Sequence, residues 1–107
     1  MALARVQLPA SAKRGEAIEV RIAIQHPMET GFRYDNMGKA IPKNVINSIT
    51  VRYNGTKIFR AEMSSGIAAN PYLQFFTVAG ESGTIEISWV DDNGNRGMER
   101  AAITVTD

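Results

Sequence analysis

Residues 18–24 alternate without a break: Ile18, Val20, Ile22 and Ile24 on one side, Glu19, Arg21 and Ala23 on the other. A period of two is the signature of a strand with one buried face. A helix would need apolar residues every three or four positions, and no segment of the chain offers such a stripe. The run 16–25 stops at His26-Pro27, because proline cannot donate to a ladder and restricts the residue before it. Residues 46–53 repeat the device, with Ile49, Val51 and Tyr53 opposite Ser48, Thr50 and Arg52. Asn54-Gly55 follows at once and leads into residues 56–62, the strongest short signal for a hairpin.

The remaining runs follow the same logic. Residues 72–79 are apolar on both faces, which predicts a strand covered once by the core and once by something else. Gly80 to Gly83 and Asp91 to Gly97 read as polar turns. Between them Ile85, Ile87 and Trp89 alternate, and Ala101, Ile103 and Val105 form a last strand. A short strand at residues 3–8 brings the total to about seven. Isoleucine and valine are frequent, while leucine occurs only at 3, 8 and 73; β-branched side chains favour the pleated surface. The prediction is an all-β fold, an immunoglobulin-like antiparallel β-sandwich, formed by residues 1–107 as a single domain. The chain has no cysteine, so the disulfide-pinned version is excluded and Trp89 is the candidate core filler.

Charge and motifs then exclude function classes. Net charge is +1 with scattered Lys and Arg, so a nucleic-acid stripe is missing. No apolar stretch approaches the ~20 residues that span a bilayer, and no basic amphipathic helix suggests a membrane surface. Without cysteine there is no thiolate chemistry and no common structural zinc set. No phosphate-binding glycine loop or nucleophile elbow occurs. His26 is the single histidine; a general base or metal ligand would need helpers that the neighbouring sequence lacks, so it reads as a strand-end residue bonding to backbone. Asp91, Asp92, Asn93 and Asn95 around Gly94 are rich in oxygen, but Arg96 stands where an EF-hand loop needs glycine, and the flanks read as strands. The expectation is no catalytic residue, no cofactor and no metal.

What remains is a set of apolar residues outside the alternating strands. The segment 26–44 holds Met28, Phe32, Tyr34, Met37 and Ile41, too apolar for a solvated linker. It is either packed on the sandwich or presented to a partner. Methionine is common on adaptable binding surfaces. The candidate partner contacts are Met28, Phe32, Tyr72, Phe76 and Val78.

Three blocks carry a family resemblance: His26-Pro27-Met28-Glu29-Thr30-Gly31, then Asn70-Pro71-Tyr72-Leu73, then Trp89-Val90-Asp91 followed by Asn93-Gly94. In this order and length the chain resembles the SoxZ family over essentially its whole extent. The resemblance implies the non-catalytic subunit of the SoxYZ sulfur-carrier complex of thiosulfate oxidation. Its SoxY partner bears a glycine-rich C-terminal arm with a cysteine that carries the sulfur intermediates. No such arm is present here, where the sequence ends Ile103-Thr104-Val105-Thr106-Asp107. It further implies a heterodimer that docks transiently onto other sulfur-oxidation enzymes, with no nucleic acid or membrane partner. The first residues carry no basic and apolar signal segment, so periplasmic location is expected through co-export with a signal-bearing partner. The competing reading from the residues alone is a self-associating structural or adhesin-type sandwich domain.

Overall fold

The alternating runs fold as the strands their periodicity predicts. In a computed structural model of the chain, described here for residues 3–64, 67 and 69–107, eight strands run in order. They are β1 (Leu3–Gln7), β2 (Ser11–Lys13), β3 (Ala17–Gln25), β4 (Ile46–Tyr53), β5 (Thr56–Glu62), β6 (Tyr72–Val78), β7 (Gly83–Asp91) and β8 (Arg96–Thr106). One sheet has the order β1-β3-β6 and the other β2-β8-β7-β4-β5.

The two sheets bury their alternate residues against each other. Ile18, Val20, Ile22 and Ile24 of β3 meet Ile49 and Val51 of β4 and Ile85 and Ile87 of β7 in one apolar cluster. Trp89 is part of that core, as expected. A Cβ on its cross-strand partner Gly97 would lie 2.0 Å from the Trp89 ring, so only glycine fits there. The β4–β5 connection is the expected Asn54-Gly55 turn, with both residues at positive φ. This satisfies the backbone twist of a two-residue hairpin.

Two elements depart from the sequence prediction. β2 was missed, so there are eight strands rather than about seven. Its three residues pair with Thr104–Thr106 in parallel, the single parallel strand pair among the described residues. β8 begins at Arg96 rather than Ala101. Its first half is exposed apart from Gly97, which has no side chain to signal a buried face, yet it pairs with β7 from Arg96 to Ile103.

The molecule is longer than a sandwich of this size requires. It measures 61 × 19 × 19 Å, with a radius of gyration of 16.3 Å, against about 13 Å for a globular chain of this length. The eleven residues of β8 span about 36 Å. The β3–β4 connection forms a narrow two-legged arm, its legs bridged at Glu29–Asn44 and at Tyr34–Ala40.

Candidate partner interface

The arm is anchored by a buried polar knot. Pro27 ends β3, and the chain must turn where His26 sits, 3% exposed. His26 Nδ1 accepts from the Met28 N–H at 2.9 Å. That assigns the ring proton to Nε2, which donates to Asp91 Oδ2 at 3.1 Å. The His26 main chain pairs with Asn70: its N–H donates to Asn70 Oδ1 at 3.0 Å, and its carbonyl accepts from the Asn70 N–H at 2.8 Å. Asn70 holds positive φ to do so.

Asp91 is the hub of the next layer. Its Oδ1 accepts from the N–H groups of Asn93 and Asn95 at 3.0 and 2.9 Å, and Oδ2 accepts from Asn95 Nδ2 at 3.1 Å. Burial pushes the carboxyl up, but hydrogen bonds from His26, Asn95 and Asn44 outweigh it and hold it below the ordinary carboxylate range. Both Asp91 carboxylate oxygens thus accept from turn amides or from His26, while Asp92 Oδ2 accepts from the Val45 N–H at 3.1 Å. Among the described residues, no group of three or more His, Cys, Asp or Glu could hold a metal ion.

A carboxylate, a histidine and a donor in line have the outline of a base-and-orienter pair. Here the third member is the Met28 main-chain N–H. Both ring nitrogens are occupied and the ring is enclosed, so the pair holds the chain in place and has no lone pair facing a substrate. Sequence reading gave His26 a backbone bond and missed its carboxylate. Asp91 lies 65 residues away, and the only trace in the sequence is that all three blocks of the family resemblance supply a member of the knot.

Met28 is a correction. It was expected at a partner surface, but it is 4% exposed and part of the core. Its backbone is left-handed, φ 50°, and its sulfur accepts from the Ile46 N–H at 3.3 Å.

Beyond Met28 the two legs run side by side. Glu29 and Asn44 exchange N–H···O bonds at 2.9 Å each. Gly31 packs against Lys43 with a positive φ, so a side chain there would be strained and would crowd Lys43. Arg33 returns to Glu29 with bonds of 3.1 and 2.5 Å. Tyr34 and Ala40 form a bridge, and Asp35 Oδ1 closes the tip by accepting from the N–H groups of Met37 and Lys39. The arm presents Phe32, Tyr34 and Met37, at 83%, 69% and 90% exposure. Of the two alternatives left by the sequence, the arm is projected rather than packed down.

β6 supplies the second apolar surface. Leu73 and Phe75 face inward, and Phe75 stacks on Phe59 of β5 with ring centroids 4.5 Å apart. Tyr72, Phe76 and Val78 face out and are more than half exposed. The outer covering expected for this strand is not supplied by the chain's described residues. Sequence pattern thus placed four of its five candidates on the surface, in two groups: Phe32 on the arm and the β6 trio on the sheet.

These features define an immunoglobulin-like β-sandwich with exposed apolar strand and arm surfaces. Solved structures share the fold. A superoxide reductase (neelaredoxin) from Ignicoccus hospitalis superposes with TM-score 0.74 at 18% identity, over 96% of this chain and 80% of that one. The sulfur carrier protein SoxY from Chlorobium limicola f thiosulfatophilum does so with TM-score 0.66 at 10% identity, over 97% and 79%. At these identities the likeness is one of fold. Comparison with curated proteins returns no match. The family match is specific: sulphur oxidation protein SoxZ, over residues 6–102. The chain belongs to the SoxZ family.

Proposed function

We propose that this chain is the non-catalytic half of a SoxYZ-type carrier complex, holding a cysteine-bearing SoxY-like subunit as a heterodimer. The partner's thiol carries the sulfur intermediates of thiosulfate oxidation, and this chain holds the partner in place. The observation that carries the reading is the apolar trio Tyr72, Phe76 and Val78, exposed on one strand of a SoxZ-family chain. A monomer has no reason to keep such a row in water, whereas a lasting heterodimer needs an apolar centre within more than about 1,000 Å² of buried surface. Phe32, Tyr34 and Met37 form a separate apolar surface on the arm, which gives the pair a second place to meet the enzymes it visits in turn. The absence of cysteine leaves the covalent chemistry to the partner. Periplasmic residence follows from the same reading, with export alongside that partner.

The test is co-expression of the tagged chain with the cysteine-bearing product of a neighbouring gene, followed by native mass measurement. A one-to-one complex is the expected species. A chain that purifies alone, or as a symmetric dimer with the candidate partner present, contradicts the proposal; the dimer would favour a self-associating sandwich instead.

A further inference from the structure

The two sheets end on four edge strands, and the part of β8 beyond the three-residue β2 also has an open outer side, where Arg96, Glu99 and Arg100 supply charge. Of the four edge strands, three are guarded. β2 has only three residues. β1 is five residues long, carries Arg5 and lies against β8 of the facing sheet. β5 carries Lys57, Arg60 and Glu62, and its ladder with β4 is broken by a bulge. Short length, charge and bulges are the devices by which natural sheets prevent stray pairing. β6 uses none of them. Its seven residues, Tyr-Leu-Gln-Phe-Phe-Thr-Val, include no charge and no proline, and its register with β3 is regular throughout. Left bare, such an edge is an aggregation template.

The main-chain geometry shows what the edge offers. The Ala79 N–H donates to the Glu16 carbonyl and the Ile24 N–H to the Pro71 carbonyl. Antiparallel ladders alternate, so Leu73, Phe75 and Thr77 spend their main-chain groups on β3. Those of Tyr72, Gln74, Phe76 and Val78 point to the open side. Among the described residues β6 pairs with β3 alone. Beside that edge runs a groove of about 510 Å³ between β6 and β5, lined by Tyr53, Thr56, Ile58, Thr77 and Val78.

The geometry points to β-strand addition: an extended strand of the cysteine-bearing partner pairs with β6 and continues the three-stranded sheet. The inward side chains of that strand lie over the groove beside Ile58, and its outward ones join Tyr72, Phe76 and Val78. Main-chain bonds supply a share of the affinity and alternate side chains the choice of strand. A partner strand with apolar residues at every second position is the chemistry that fits. This rests on the heterodimer reading and specifies how the two chains meet.

Gln74→Pro tests it. The Gln74 N–H faces the open side, so proline there leaves the β3 ladder intact and removes one donor from the edge, where proline is tolerated. The variant should fold and lose about 100-fold or more in affinity for the partner. Amide exchange of the wild-type complex is the second readout, and it stands even if the variant fails to fold. The amides of Gln74, Phe76 and Val78 should become protected only when the partner is bound. A folded Gln74→Pro chain that pairs as tightly as wild type, or a complex in which those amides exchange as in the free chain, overturns strand addition while leaving the heterodimer standing. Protection of the same amides in a dimer of this chain alone overturns the choice of occupant. Failure to form any heterodimer removes the underlying reading instead.

Discussion

His26 ties together three parts of the chain that are remote in sequence. Its ring joins the start of the arm to the end of β7, and its main chain holds Asn70 at the entry to β6. Replacing it with alanine leaves the Met28 N–H unpaired in a buried site and removes a donor from a buried carboxylate. His26→Ala should therefore cost about 3 kcal/mol in urea unfolding; a loss below about 0.5 kcal/mol would mean that the knot is incidental. Asp91 makes a separate prediction through pH. Its folded carboxyl lies below the ordinary range, so the unfolded chain binds the proton more readily in acid. The stability it contributes is complete above the unfolded value, about pH 4, and fades as the pH falls through the lower folded value. Asp91→Asn should lower stability at neutral pH and flatten its acid limb. Parallel stability curves for the two proteins between pH 2 and 6 would show that Asp91 does not carry the dependence.

At the scale of elements, β3, β4 and β5 were legible because a strand's signal is local: alternation, then Asn54-Gly55 or His26-Pro27 at its end. β2 was not, because Ser11-Ala12-Lys13 has too few residues to show a period and its partner lies at the far end of the chain. The direction of the arm was also hidden. Apolar residues in an irregular segment read alike whether packed or presented, yet here Met28 is buried and Phe32, four residues on, is exposed. Two substitutions in the same segment should therefore differ. Met28→Ala leaves a cavity in the core and should cost about 2–4 kcal/mol. Phe32→Ala removes only exposed surface and should stay within about 0.5 kcal/mol. Equal losses in thermal or urea unfolding would place both residues in the same environment and contradict the projected arm.

For the whole molecule, fold and function separate. The same sandwich occurs in superoxide reductases and in a sulfur carrier protein, so the architecture alone implies no chemistry. In this chain the apolar side chains lie in two places: an isoleucine-rich core inside, and a bare row on β6 with a projecting arm outside. The interface candidates on β6 were readable because the run is apolar on both faces, while one core can cover only one of them. The knot that sets the arm was not readable, since it joins residues whose proximity only the fold creates. The proposed holding surface for the partner subunit is the outer side of β6. It is tested most directly by sedimentation of the chain with its cysteine-bearing partner, wild type against Phe76→Asp. Phe76 is exposed in the free chain, so the variant should fold normally. It should bind at least about 100-fold more weakly, since a charge would enter the apolar centre of the interface. A folded Phe76→Asp chain that forms the heterodimer with undiminished affinity would contradict the account.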